Sequence, residues 1–101
     1  ANRNVTFTGG DPMLHPEGFI ELAQMIKKNK KKNIWCYTGY KFEDLIQHPT
    51  RRKLVELCDV IVDGPFVESE RDLSLHFRGS RNQRVINVQK SLQGDIHCLE
   101  F

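Results

Sequence analysis

The period of the apolar positions changes several times along the chain, and each change marks an element. Val5, Thr6, Phe7 and Thr8 are β-branched or aromatic and stop at Gly9-Gly10, which predicts a strand. Asp11-Pro12 then imposes a turn. Pro16 suits the first turn of a helix, and Glu17 suits its positive end. Phe19, Leu22, Ala23 and Ile26 follow at i, i+3, i+4 and i+7, which predicts one buried helical face. Lys27, Lys28, Lys30, Lys31 and Lys32 close the segment, where cations suit a helix C-terminus. Ile34, Trp35, Cys36 and Tyr37 predict a second strand, halted by Thr38-Gly39-Tyr40. Phe42, Leu45 and Ile46 predict a short helix that ends before Pro49, and Leu54, Leu57 and Cys58 repeat the helical spacing. Val60, Ile61 and Val62 form the unbroken run of a strand covered on both faces, ended by Asp63-Gly64-Pro65. From Phe66 to Gln83 the chain is charged and irregular. Arg84 to Val88 predicts a fourth strand, and Ile96 to Leu99 a fifth.

Strands alternating with helices predict right-handed crossovers and a mainly parallel α/β sheet, here as one domain over residues 1–101. Ligands of such sheets sit at the C-terminal strand ends. Gly9-Gly10-Asp11-Pro12, Thr38-Gly39-Tyr40 and Asp63-Gly64-Pro65 fall at those ends and predict one shared pocket.

Composition narrows the class. Hydrophobic residues at 39% and charged residues at 28% exclude collagen-like, mucin-like and strongly disordered chains. No apolar run approaches the roughly 20 residues of a membrane helix, and Ala1-Asn2-Arg3-Asn4 lacks the regions of a signal peptide. Membrane and nucleic-acid partners are not expected: a net charge of +2 is too small, and the lysine run has no stacking platform beside it. Cys36, Cys58 and Cys98 are odd in number, which favours a reducing cytoplasm over a disulfide scaffold. Their intervals of 22 and 40 positions match no compact metal motif. Cys36 and Cys58 read as buried small hydrophobes and Cys98 as exposed. His15, His48, His76 and His97 lack ligand spacing and read as surface or helix-end residues.

Paired glycines at a strand end either make a bare turn or let a ligand approach the backbone, with the Asp11 carboxylate able to hold an ammonium group. A non-catalytic α/β module binding a nucleotide or anion at this turn is a competing reading, although no P-loop or GxGxxG fingerprint occurs. An interaction domain built on the lysine run is another.

The string TFTGGDP resembles the GGE/DP motif of radical S-adenosylmethionine (SAM) enzymes. The strings NIWCYTGY (33–40), DVIVDGPFVE (59–68) and RDLSLHFRGSRNQR (71–84) are similar to the anaerobic ribonucleoside-triphosphate reductase activating proteins, with pyruvate formate-lyase activating enzymes as looser cousins. The resemblance implies a partial (β/α) radical SAM barrel that begins at the second barrel strand. It implies a glycyl-radical activase of the anaerobic reductase, working with SAM, a [4Fe–4S] cluster and an electron donor such as flavodoxin. Gly9, Gly10, Asp11 and Pro12 would contact the SAM amino group. Thr38 and Gly39 align with a second SAM contact. Asp63 would bind a SAM polar group or Arg78, or serve the turn alone. Arg78, Ser80, Asn82 and Gln83 would meet the partner's glycine loop or form a structural loop. The family's CxxxCxxC motif is absent, so no metal ligand is assigned and the chain is expected to be inactive alone. Without a preceding strand the Val5 strand would be an open edge, which predicts a homodimer or edge packing.

Overall fold

The computed structural model describes residues 3–8, 10–28, 32–75 and 77–99. Gly9, His76, Lys30 and Lys31, all singled out in the sequence, lie outside the described residues. Strand β1 (Arg3–Phe7) leads through helix α1 (Pro16–Lys27) to β2 (Lys32–Tyr37). Helices α2 (Phe42–Leu45) and α3 (Pro49–Leu57) lead to β3 (Val60–Asp63). After a 3-10 turn at Glu68–Glu70 come β4 (Arg84–Asn87) and α4 (Val88–Ser91).

The four strands form one sheet in the order β1-β2-β3-β4. β1 and β2 run parallel with Phe7 opposite Cys36, and β2 and β3 run parallel with Tyr37 opposite Val62. β4 is antiparallel to β3, with Asp63 opposite Arg84. No helix separates β3 from β4, so nothing carries the chain back to the far end of the sheet, and it returns in the opposite sense. The predicted fifth strand shrinks to a single bridge, Ile86 to Cys98. Backbone N–H groups of Asn87 and Leu99 nevertheless bond the carbonyls of His97 and Val85 at 2.7 Å, so residues 97–99 lie along the outer edge of β4. β1 pairs only with β2 among the described residues.

Alternation along the strands separates the two faces. Phe7, Ile34, Cys36, Ile61 and Ile86 point into the main core with Ala23, Leu45, Leu54 and Val55 from the helices. Val60, Val62 and Val85 face the other way and pack with Trp35, Tyr37 and Leu99. The helices thus cover one face, as a partial barrel requires, and β3 is buried on both sides as its unbroken apolar run predicts. Within α1 the predicted face is turned slightly. Phe19, Ile20, Ala23 and Ile26 reach the core, whereas Leu22 is exposed. At the far end of the sheet Asp59 fastens α1 to β2. Its Oδ2 accepts from the Ile34 N–H at 2.8 Å and from the Lys27 ammonium. Lys27 thereby belongs to the fold and not to a free basic patch.

Candidate functional site

The first two strand ends are joined through one side chain. After Gly10 the chain turns at Asp11-Pro12, where the Pro12 ring is buried and the Leu14 N–H closes onto the Asp11 carbonyl at 3.1 Å. This places the Asp11 carboxylate beside the exit of β2. Its Oδ1 accepts from the Met13 N–H at 3.0 Å and from the Thr38 hydroxyl at 2.8 Å. Its Oδ2 accepts from the Gly39 N–H at 2.8 Å. Thr38, buried, in turn accepts from the Tyr40 N–H at 3.2 Å. Gly10 is exposed, and a Cβ built on it would meet nothing within 4 Å. Its φ is not positive, so its backbone conformation does not require glycine. Gly64 is the glycine that needs its freedom: it sits at φ +91° directly after β3.

A cleft of about 390 Å3 opens over these ends, lined by Thr8, Asp11, Tyr37, Thr38, Gly39, Val62, Gly64, Phe66 and Gln83. Residues from all three parallel strand ends share this cleft; of those expected from the sequence, Asp11, Thr38 and Gly39 line it, whereas Gly10, Pro12 and Asp63 do not. Its lining carries a carboxylate and neither lysine nor arginine. That character opposes a phosphate or nucleotide anion and suits a cation. Burial raises the Tyr37 phenol above its ordinary 10.0, so it stays protonated and able to donate at neutral pH. Besides the Gly39 N–H, Asp11 Oδ2 has the Thr38 hydroxyl at 3.1 Å, and it stands 3.6 Å from where a Cβ on Gly39 would be.

Asp63 plays a different part from the one expected. It is 1% exposed. Its Oδ2 accepts from the Phe42 N–H at 2.8 Å, holding the start of α2. Both oxygens take the Arg84 guanidinium, at 3.0 Å from Nε and 2.5 Å from Nη2. Its partner is therefore Arg84 and not Arg78, because Arg84 stands directly opposite in the β3–β4 register. With its oxygens so engaged, Asp63 supports the wall of the cleft rather than presenting itself to a ligand. Arg84 also grips Glu43, at 2.6 Å, and its hydrogen bond holds the Glu43 carboxyl below its ordinary value.

The irregular segment is a braced strap. Gln83 Oε1 accepts from the N–H groups of Gly79 and Ser80, and its Nε2 donates to the Gly64 carbonyl. Asn82 donates to the Pro65 carbonyl at 2.7 Å, and the Ser80 hydroxyl donates to Asn82 while accepting from the Val67 N–H. Arg78 donates to the Gln83 carbonyl at 2.6 Å. The residues read as meeting a partner thus bond one another, and Ser80 is buried. Apolar side chains of the strap are what faces outward: Phe66, Leu73 and Phe77 are each about half exposed or more. Phe77 stands in the left-handed region at φ 64°, its ring 5.0 Å from Trp35 on the helix-free face.

Sequence reasoning passed over Arg51. On α3, its Nε donates to the Met13 carbonyl at 2.8 Å, and its guanidinium lies 4.3 Å from the centre of the Tyr40 ring. The signal was available: an arginine in the first turn of a helix opposes the dipole, so another contact must favour it there.

The model of the 4Fe-4S single cluster domain matches residues 1–86. The chain belongs to this family. It is 37% identical over 91 residues to the anaerobic ribonucleoside-triphosphate reductase-activating protein of Escherichia coli K12, a match covering 86% of this chain and 57% of that protein. Proteins of the same name from Haemophilus influenzae and Enterobacteria phage T4 are 39% and 38% identical over 87 residues, covering 82% of this chain and 54% and 52% of theirs. The chain thus spans a little over half the length of these relatives. No solved structure matches it.

The cysteines do not fit the cluster that the family name implies. Thiolates must converge on one cubane. Cys36 and Cys58 are buried in the helix-side core, while Cys98 is exposed beside β4. The hydrogen bond with Cys36, reinforced by burial, pushes the Cys58 thiol well above its ordinary 9.0, against the deprotonation a ligand needs. Among the described residues no three His, Cys, Asp or Glu side chains gather as a metal site. His15 and His48 stand exposed at the N-termini of α1 and α3, and His97 is exposed, as the sequence suggests. No helix among the described residues is long and apolar enough to cross a membrane.

Proposed function

We propose that this chain is the SAM-holding core of a radical activase that acts on anaerobic ribonucleoside-triphosphate reductase. The observation that carries the reading is the cleft at three parallel strand ends, lined by the Asp11 carboxylate and by Gly39 and Gly64, with no basic lining residue. SAM bears an ammonium and a sulfonium, so its reactive end is cationic where this cleft is acidic. Identity to activating proteins of that reductase supports the reductase as the partner.

When bound, SAM would supply the radical chemistry, with the electron coming from an external one-electron donor and the hydrogen atom from a glycine of the reductase. The residues of this chain bind and orient. The Asp11 carboxylate and the backbone at Gly10 receive the ammonium, and the Met13, Thr38 and Gly39 donors hold that carboxylate in place. Tyr37 donates a hydrogen bond from the β2 wall. Val62 and Phe66 exclude water from one side, a condition for carrying a reactive radical without side reactions. Delivery of the electron falls to groups other than Cys36, Cys58 and Cys98.

Equilibrium dialysis of the chain against radiolabelled SAM tests this. Binding is expected, with Gly10→Val weakening it at least about tenfold, ~1.4 kcal/mol. The open space at Gly10 lets the valine fold without strain, so the melting temperature is expected to hold. No binding at millimolar SAM, or equal affinity in both proteins, overturns the assignment.

A further inference from the structure

We infer that Arg51 is a positioning residue that sets the spacing between the first two loops of the candidate SAM site. It does not line the cleft, and its hydrogen bonds go to Met13 and Tyr40 rather than to the lining residues Asp11, Thr38 and Gly39. It stands behind them and holds one group of each loop. Its Nε donates to the carbonyl of Met13, whose own N–H is bound by Asp11. Its guanidinium carbon lies over the ring of Tyr40, 4.3 Å from the ring centre, and the Tyr40 N–H is bound by Thr38. Tyr40 extends the link to the third loop, since its carbonyl accepts from the Gly64 N–H at 3.1 Å. The chain of contacts therefore runs from α3 to all three strand ends.

Three physical arguments favour this assignment over a surface contact. A cation in the first turn of a helix faces the positive end of the dipole, so the position is unfavourable unless the side chain finds acceptors elsewhere. The flat guanidinium can stack on an aromatic face and donate in its own plane at once, which a lysine ammonium cannot do. The Asp11 carboxylate bridges loops that have no direct backbone hydrogen bond among the described residues, and a bridge of 2.8 to 3.1 Å bonds tolerates little drift between its ends. A drift of an ångström would cost the site its ordered carboxylate without disturbing the sheet.

The effect on SAM rests on the proposed function, so the test has two arms. In the first, native-state hydrogen exchange is followed residue by residue without SAM. Arg51→Met should speed exchange at the Met13 and Gly39 amides about tenfold or more, leaving the amides of Cys36 and Val62 in the sheet unchanged. Arg51→Lys should fall between, because it keeps one contact at a time. Tyr40→Leu, which removes the seat of the guanidinium, should reproduce Arg51→Met and carries the test if that variant fails to fold. Unchanged Met13 and Gly39 amides, or equal acceleration across the sheet, overturns the proposal. In the second arm, SAM affinity should fall about tenfold in Arg51→Met, with the melting temperature within a few degrees of the parent. Unaltered affinity alongside loosened loops overturns the link to the ligand. Absence of SAM binding in the parent rejects the ligand assignment alone, and the exchange arm then decides for or against the clamp.

Discussion

Replacing Asp11 by asparagine removes one acceptor from a carboxylate that ties two loops. The Asn carbonyl can take over Oδ1, bonding the Met13 N–H and the Thr38 hydroxyl. The amide nitrogen must then face the Gly39 N–H, 2.8 Å away, donor against donor. The second lone pair of Thr38 Oγ1, 3.1 Å from that position, can accept from the amide, but the Gly39 N–H is still left without its acceptor. A hydrogen bond to a charged group is worth about 1.5–3 kcal/mol. Gly39 is exposed, so water recovers part of the loss, and the expected cost is about 1–2 kcal/mol. For a chain of this size that lowers the melting temperature by roughly 5–15 °C. Thermal melts of the parent, Asp11→Asn, Thr38→Val and the double variant measure it. The Asp11–Thr38 coupling should be roughly 0.5–1.5 kcal/mol. A melting point for Asp11→Asn within about 2 °C of the parent, or a coupling of zero, refutes the claim that this carboxylate joins the two strand ends.

Two further outcomes follow from side chains around the site. Native alkylation with iodoacetamide should label Cys98 and spare Cys36 and Cys58 until denaturant is added, and anaerobic reconstitution with iron and sulfide should give no stable [4Fe–4S] signal by electron paramagnetic resonance; a stoichiometric cluster would contradict the ligand geometry. Arg84 holds the Glu43 carboxyl below its ordinary 4.5, so the pair's stabilisation is fully present above that pH and is lost as pH falls through the depressed value. Glu43→Gln should therefore lower stability at neutral pH by well under about 1 kcal/mol, since Glu43 is half exposed, and flatten part of the acid limb in urea titrations.

Much of the fold is legible because each element has its own period. The β-branched runs end at Gly, Asp or Pro, and the helix between β1 and β2 starts at a proline and carries its acidic and basic ends in the right order. What the sequence did not disclose depends on distance. The antiparallel sense of β4 follows from the shape of the strap before it, and nothing in residues 66–83 has a period to read. Asp63 was visible as a strand-end acid, but its choice of Arg84 over Arg78 comes from register across two strands. The Asp11 ties to Thr38 and Gly39 span 27 and 28 positions, and those of Arg51 to Met13 span 38. Local spacing has no access to such pairs. The helical face of α1 was off by part of a turn because Ile20 and Leu22 are equally apolar, and only packing chooses between them.

The unequal edges of the sheet limit how it can grow. Residues 97–99 occupy the outer rim of β4 through the Asn87 and Leu99 N–H bonds, whereas β1 has no such cover among the described residues. Polymerisation by strand addition needs two adhesive edges on every copy, one to receive and one to pass on. Residues 97–99 therefore act as a terminator on the β4 side: while their bonds to Asn87 and Val85 hold, that rim has fewer free backbone groups to offer an incoming strand.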